Sequence, residues 1–219
     1  MAINLLIALN FLVFVAVQAG RIVFSLYSLS LGASASQVGG ILAMLFVFPL
    51  LLSWPVGVLS DRLGARRLLF LGTGSGVAGM FVPYFMPSLA TLYVAAALLG
   101  LTIAFFSVIG QNLVGILSDP RERTKNFSNF TLFGALSSFV GPLIAGLAID
   151  HVGYAFACVV TAAPLMLSIA MIAAWGGTLP RGQPHRSAGG NLLHTLADRR
   201  LWRLPNLALT LGWLRIARR

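Results

Sequence analysis

This sequence predicts an all-α membrane protein, a bundle of six transmembrane helices built from two inverted three-helix repeats. Three observations predict it. First, 58% of the 219 residues are hydrophobic and only 9% are charged, where a soluble domain carries about 25% charged residues. Second, the chain divides into six long apolar runs with the charges gathered in the connections, and uncharged runs of about twenty residues span a bilayer as helices. Third, Gly57-x-x-x-Asp61-x-x-Gly64 between spans 2 and 3 recurs as Gly146-x-x-x-Asp150-x-x-Gly153 between spans 5 and 6. The two copies fall on opposite sides of the membrane, the pattern of inverted repeats inside a six-helix unit.

Span 1 is expected over Asn4 to Leu29 and holds Arg21. A charge at that depth is costly unless paired or hydrated. At 100° per residue Asn10, Gln18, Arg21, Ser25 and Ser28 share one stripe, so they are candidates to line a watery cavity and to bind substrate or couple an ion. The competing expectation is that Arg21 snorkels to the outer surface. Span 2 runs from about Gln37 to Leu59 with Ser36 as its cap, and Pro49 and Pro55 bend it. Span 3 covers Arg66 to Phe85, and Gly72, Gly74, Gly76 and Gly79 give it a face for close helix contact. Pro83 to Pro87 makes the following turn.

Span 4 is expected over Leu89 to Leu113, where Gly100, Ala104, Ser107 and Gln111 form a small and polar stripe, cavity-lining or tightly packed. The connection Asp119 to Asn126 is a mixed-charge hairpin whose ion pairs are worth little each. Span 5 covers Phe127 to Ile149, and Gly141-Pro142 inside it suits a bend or gate as well as it suits packing. Span 6 covers Gly153 to Trp175, with Trp175 at the interface. Residues 1–178 thus form the six-helix unit. Residues 179–203 read as a basic linker. Residues 204–219 read as a seventh span of about eleven apolar residues, where about twenty are needed, so a truncated coding sequence is expected.

Charge placement sets orientation. Arg62, Arg66 and Arg67 lie in the second connection, Arg121, Arg123 and Lys125 in the fourth, and Arg181, Arg186, Arg199, Arg200 and Arg203 after span 6. The first, third and fifth connections have no Lys or Arg. The positive-inside rule then puts the N-terminus in the cytoplasm. The net charge of +10 is dispersed over these segments rather than massed on one face, which argues against nucleic acid as partner. Fourteen of the fifteen basic residues are Arg, in keeping with a GC-rich bacterial gene and an inner-membrane location. Cys158 is alone, so no disulfide within the chain is expected. No cofactor, metal site or catalytic residue is expected: the spans carry no clustered carboxylates and no metal-ligand spacing, and His151, His185 and His194 fall in connections or the tail.

The stretch Gly57-Val-Leu-Ser-Asp-Arg-Leu-Gly-Ala-Arg-Arg67 is a charged hairpin between two apolar runs, in which Gly57 and Gly64 allow close helix approach and a sharp turn. It resembles the signature loop G-x-L-A-D-R-x-G-R-K-x-x-L between helices 2 and 3 of the major facilitator superfamily of secondary transporters. Gly57, Leu59, Asp61, Arg62, Gly64 and Leu69 match; Ser60 and Arg66 are conservative replacements, and Ala65 departs. Gly141-Pro142-Leu-Ile-Ala145-Gly146 resembles the G-P-x-x-G-G core of the superfamily's drug/proton antiporter motif, with Ser128 and Ser137 in place of its upstream glycines. In span 4, Ala96 stands where proton-coupled members often carry Arg, and Thr102 where they carry Gly. The resemblance implies a secondary transporter working by alternating access, more in keeping with proton-driven efflux of a small organic solute than with uptake. Its partners are the bilayer, a small-molecule substrate, and a second transporter half or a second copy. The alternative is a fragment that does not transport and acts only by association with a partner half, or is inert.

Overall fold

The computed structural model describes residues 2–178, and of Trp54, Val58, Asp61, Arg62 and Thr178 only the backbone is described. The expected linker, the incomplete seventh span, His185 and His194 lie outside the described residues.

Four helices appear as separate elements: α1 (Ala2–Ser30), α2 (Ala35–Leu63), α3 (Ala65–Phe85) and α4 (Leu89–Leu117). A 53-residue helical run follows, Arg123–Trp175. At 1.5 Å per residue it would be about 80 Å long if straight, far more than a bilayer core of about 30 Å. Gly153 breaks it, with φ 77° and ψ 171°, into α5 (123–152) and α6 (154–175). A short 3₁₀ turn, Gly176–Thr178, closes the described chain. No strand occurs among the described residues. These helices have the length and composition to cross a membrane, so the chain is an all-α membrane protein.

The connections are tighter than the sequence suggests. The expected loop at Gly57–Arg67 is almost entirely helical, because nothing in Val58 to Leu63 breaks a helix. The single hinge is Gly64, at φ 83° and ψ 145°. The span 2 cap is Ser34 rather than Ser36. Its hydroxyl accepts from the Gln37 amide while the Gln37 side chain accepts from the Ser34 amide, a capping box that satisfies two orphan donors. Ser88 and Thr91 do the same for α4. The turn after α3 is shorter than expected: Pro83 is buried inside the helix, which continues to Phe85. Helix α5 begins at Arg123 and so absorbs half of the expected mixed-charge hairpin, whose acids and bases form no ion pair among the described residues. Arg123 instead lies over Gly115 of α4.

Packing follows a two-fold exchange. Helix α1 packs chiefly on α5, α2 on α4, and α3 on α4 and α6. Exchanging α1 with α4, α2 with α5 and α3 with α6 turns the α1–α5 seam into the α4–α2 seam and leaves the α3–α6 contact unchanged. Small residues make these seams close. Cβ atoms on Gly72, Gly76 and Gly79 would meet Phe105, Thr102 and the Ala95 carbonyl oxygen at 2.9, 2.6 and 3.0 Å. Gly74, the fourth of that set, faces open space and takes no part. Gly100 presses on the Leu45 carbonyl oxygen and Gly141 on the Val15 carbonyl oxygen, at 2.8 and 2.7 Å from the same ideal position. Of the small span 4 stripe, Gly100 and Ala104 are therefore packing residues. Cys158 is buried in α6.

Candidate functional site

The α1–α5 seam opens into a cleft of about 450 Å³. Helix α1 supplies Asn10, Phe14, Val17, Gln18 and Arg21. Phe46 enters from α2, Ile103 from α4, and Phe130, Thr131, Gly134, Ala135 and Ser138 from α5. The polar groups are few and the aromatic ones flank them, the usual make-up of a small-molecule site.

Each polar side chain has a definite setting. The Gln18 amide donates to the Ser138 hydroxyl across the seam, while its oxygen accepts from Arg21 Nη1 at 3.0 Å. The Arg21 guanidinium lies 5.7 Å from the Phe46 ring centroid, within cation–π range. It is half-buried and has no acidic partner among the described residues. Asn10 is 2% exposed. Its Nδ2 donates weakly to the Phe130 carbonyl at 3.4 Å, and its Oδ1 is buried with no partner. An orphaned buried acceptor costs about 1–3 kcal/mol, a cost that a donor brought within reach of Oδ1 would remove.

The polar stripe expected on span 1 therefore divides. Asn10, Gln18 and Arg21 line the cleft; Ser25 does not, and its carbonyl accepts from the buried Ser28 hydroxyl. Ser107 and Gln111 do not line it either. The Ser107 hydroxyl turns back to the Ala104 carbonyl, and Gln111 is exposed. Nine lining residues went unread in the sequence: Phe14, Val17, Phe46, Ile103, Phe130, Thr131, Gly134, Ala135 and Ser138. The spacing of Thr131, Gly134, Ala135 and Ser138, one helical face of α5, is the signal that could have found those four.

The charged hairpin forms a second locus. The side chains of Asp61 and Arg62 lie outside the described residues. Arg66 reaches across to α6, where Nη2 donates to the Ala173 carbonyl at 3.1 Å and its stem packs against Gly176. Cations suit the carbonyl-rich end of a helix. Arg67 is exposed. Gly57 faces open space, so it serves no close contact within the described residues; Gly64 alone makes the turn. The expected gate divides in the same way. Gly141 is wedged against α1, Gly146 faces open space, and the backbone stays helical through Pro142, the break falling at Gly153. His151 hydrogen-bonds the Leu147 carbonyl of its own helix. No cluster of metal-ligating side chains occurs among the described residues.

Comparison with known proteins fits this architecture. Drug efflux pump JefA of Mycobacterium tuberculosis (strain ATCC 25618 / H37Rv) is 32% identical over 98 residues, 44% of this chain and 19% of that protein. Methyl viologen resistance protein SmvA of Salmonella typhimurium (strain LT2) is 27% identical over 128 residues, 57% of this chain and 25% of that protein. Multidrug efflux pump LfrA of Mycolicibacterium smegmatis is 29% identical over 118 residues, 53% of this chain and 23% of that protein. The chain thus matches about a quarter or less of the length of these relatives. The Major Facilitator Superfamily pattern matches residues 6–217. With six helices in exchange symmetry and the glycine-hinged hairpin between α2 and α3, the chain belongs to the Major Facilitator Superfamily.

Proposed function

We propose that this chain provides six helices of a secondary active exporter of a small organic solute. It sits in a bacterial inner membrane with its N-terminus in the cytoplasm and is driven by a proton gradient through alternating access. The observation that carries the reading is the cleft itself. Asn10, Gln18 and Arg21 gather polar and charged atoms between four membrane-depth helices, where such groups are expensive and mark a solute or ion path. The efflux names of the relatives favour export over uptake.

Uptake of candidate solutes into inverted membrane vesicles, with and without an imposed pH gradient, tests it. Gradient-dependent accumulation that Arg21→Ala abolishes is expected; accumulation indifferent to both the gradient and Arg21 overturns it.

A second reading, association with a partner half, is favoured by a specific feature. Phe46, Leu50, Phe139, Leu143 and Leu147 on α2 and α5 are exposed, Leu50 by 82%. A partner covers these faces in a complete transporter. Cross-linking from cysteines placed at Leu50 and Phe139 distinguishes a covered face from a lipid-facing one.

A further inference from the structure

The polarity of the cleft is not demanded by the fold. Under the exchange of α1 with α4 and α2 with α5, the counterpart seam is α4–α2. There the open pocket is lined by Met44, Phe48, Tyr93, Val94, Ala97 and Leu101, almost all apolar. The α1–α5 seam instead carries Asn10, Gln18, Arg21, Thr131 and Ser138. The same packing works without those groups, so they are present for something that enters.

Their chemistry is one-sided. Of the chain's five acidic residues, the three whose side chains are described, Asp119, Glu122 and Asp150, do not line the cleft. Its one formal charge is Arg21, held over Phe46 with a single donor engaged by Gln18. A guanidinium offers five N–H donors in a planar fork that fits carboxylate, sulfonate or phosphate oxygens. At the other end, Asn10 Oδ1 is a buried acceptor awaiting an N–H or O–H donor. Asn10 and Arg21 stand about 16 Å apart along the α1 axis, and the Arg21 side chain folds back towards Gln18, which shortens the gap. Phe14, Phe46 and Phe130 line the space between.

Resting on the transport reading above, we propose that the cleft selects aromatic solutes with an anionic head, bound at Arg21, and a hydrogen-bond donor at the far end, read by Asn10. Organic cations are disfavoured, because an uncompensated guanidinium in a site of low dielectric repels them. This sets the chain apart from the methyl viologen resistance named for one relative, since methyl viologen is a dication.

Calorimetric titration of the 219-residue chain in nanodiscs of neutral lipid, against empty nanodiscs, tests this without requiring transport. The probes are 2-naphthalenesulfonate, its 6-hydroxy derivative, and N-methylquinolinium, a cation of matched size. The sulfonate is expected to bind at least about tenfold more tightly than the quinolinium, the lower range of a charge-assisted hydrogen bond. Arg21→Gln collapses the ratio towards one and Arg21→Lys retains most of it, which separates charge from folding. The 6-hydroxyl tightens binding in the native chain and not in Asn10→Leu. Equal affinity for the two ions, a preference that survives Arg21→Gln, a hydroxyl gain that survives Asn10→Leu, or binding of neither probe overturns the proposal. Export of organic cations together with charge-blind binding overturns this inference and leaves the transport reading standing. Charge-selective binding with no flux of any solute does the reverse.

Discussion

Gly64 and Gly153 hold nearly the same backbone conformation, at φ 83° and φ 77° with extended ψ of 145° and 171°. They are the last glycines of the two copies of the repeat, and each hinges the second helix of its unit onto the third. The first glycines of the two copies, Gly57 and Gly146, also match: both face open space. The repeat is thus conformational as well as textual.

Side chains rarely adopt the Gly153 conformation, and holding one there costs about 1–3 kcal/mol. Gly153→Ala is expected to destabilise the folded protein by about that amount, read as a lower midpoint of thermal unfolding in detergent. Gly146→Ala, with room for its methyl group, leaves the midpoint unchanged. Equal effects at the two positions would show that the hinge conformation is not what matters.

Gly141 makes a different prediction. A Cβ there would meet the Val15 carbonyl oxygen at 2.7 Å and the Ala19 amide nitrogen at 2.9 Å, both backbone atoms that cannot step aside. Gly141→Val must push α5 from α1, with an overpacking cost of about 1–3 kcal/mol. Because Gln18 and Ser138 bridge the same seam, cross-linking by a short bifunctional thiol reagent between cysteines at those two positions is expected to be weaker in the Gly141→Val background than in the native chain.

Much of this was legible in the sequence and some was not. The stripe Asn10, Gln18, Arg21 emerged from helical periodicity alone, since α1 is one unbroken helix. Ser138 and Phe46 did not, because which helices face α1 is decided by tertiary contacts, 120 positions along the chain between Gln18 and Ser138 and 25 between Arg21 and Phe46. The hairpin at Gly57–Arg67 misled for a local reason. Two glycines and four charges look like a loop, yet Ser60 to Leu63 continue a helix without strain and only Gly64 has to leave it. Ser107 and Gln111 shared a face with Gly100 and Ala104, but that face is the α2–α4 seam at its middle and becomes exposed at its end.

Thr102 offers a measure of polar contacts at membrane depth. Its hydroxyl donates to the Gly72 carbonyl at 2.7 Å and the residue is fully buried. Thr102→Val keeps the shape and removes the bond. The expected loss is about 0.6 kcal/mol, the average for such bonds between membrane helices, measured by unfolding in mixed micelles. A loss above about 2 kcal/mol would exceed the known range and would mean the hydroxyl organises more than one contact.

Topology is testable with Cys158 removed as background. Cysteines at Ser34 and Ser88, the capping residues of α2 and α4, are expected to react with an impermeant maleimide in whole cells. One at Pro120 reacts only after the cells are opened. The opposite pattern reverses the proposed orientation.

Arg21 has a consequence for biogenesis. Helix α1 leaves the ribosome before α5, yet Gln18, which holds the guanidinium, is itself anchored by Ser138, 120 positions later. At roughly 5–20 residues per second translation takes on the order of ten seconds to supply that anchor. During that interval the guanidinium has only Gln18 of its own helix and, once α2 emerges, the Phe46 ring as partners. Membrane insertion of α1 therefore depends on shelter, from the insertion machinery or from the helices that emerge next. Shortening the delay, by a circular permutation that brings 123–152 ahead of α1, should raise the yield of inserted protein.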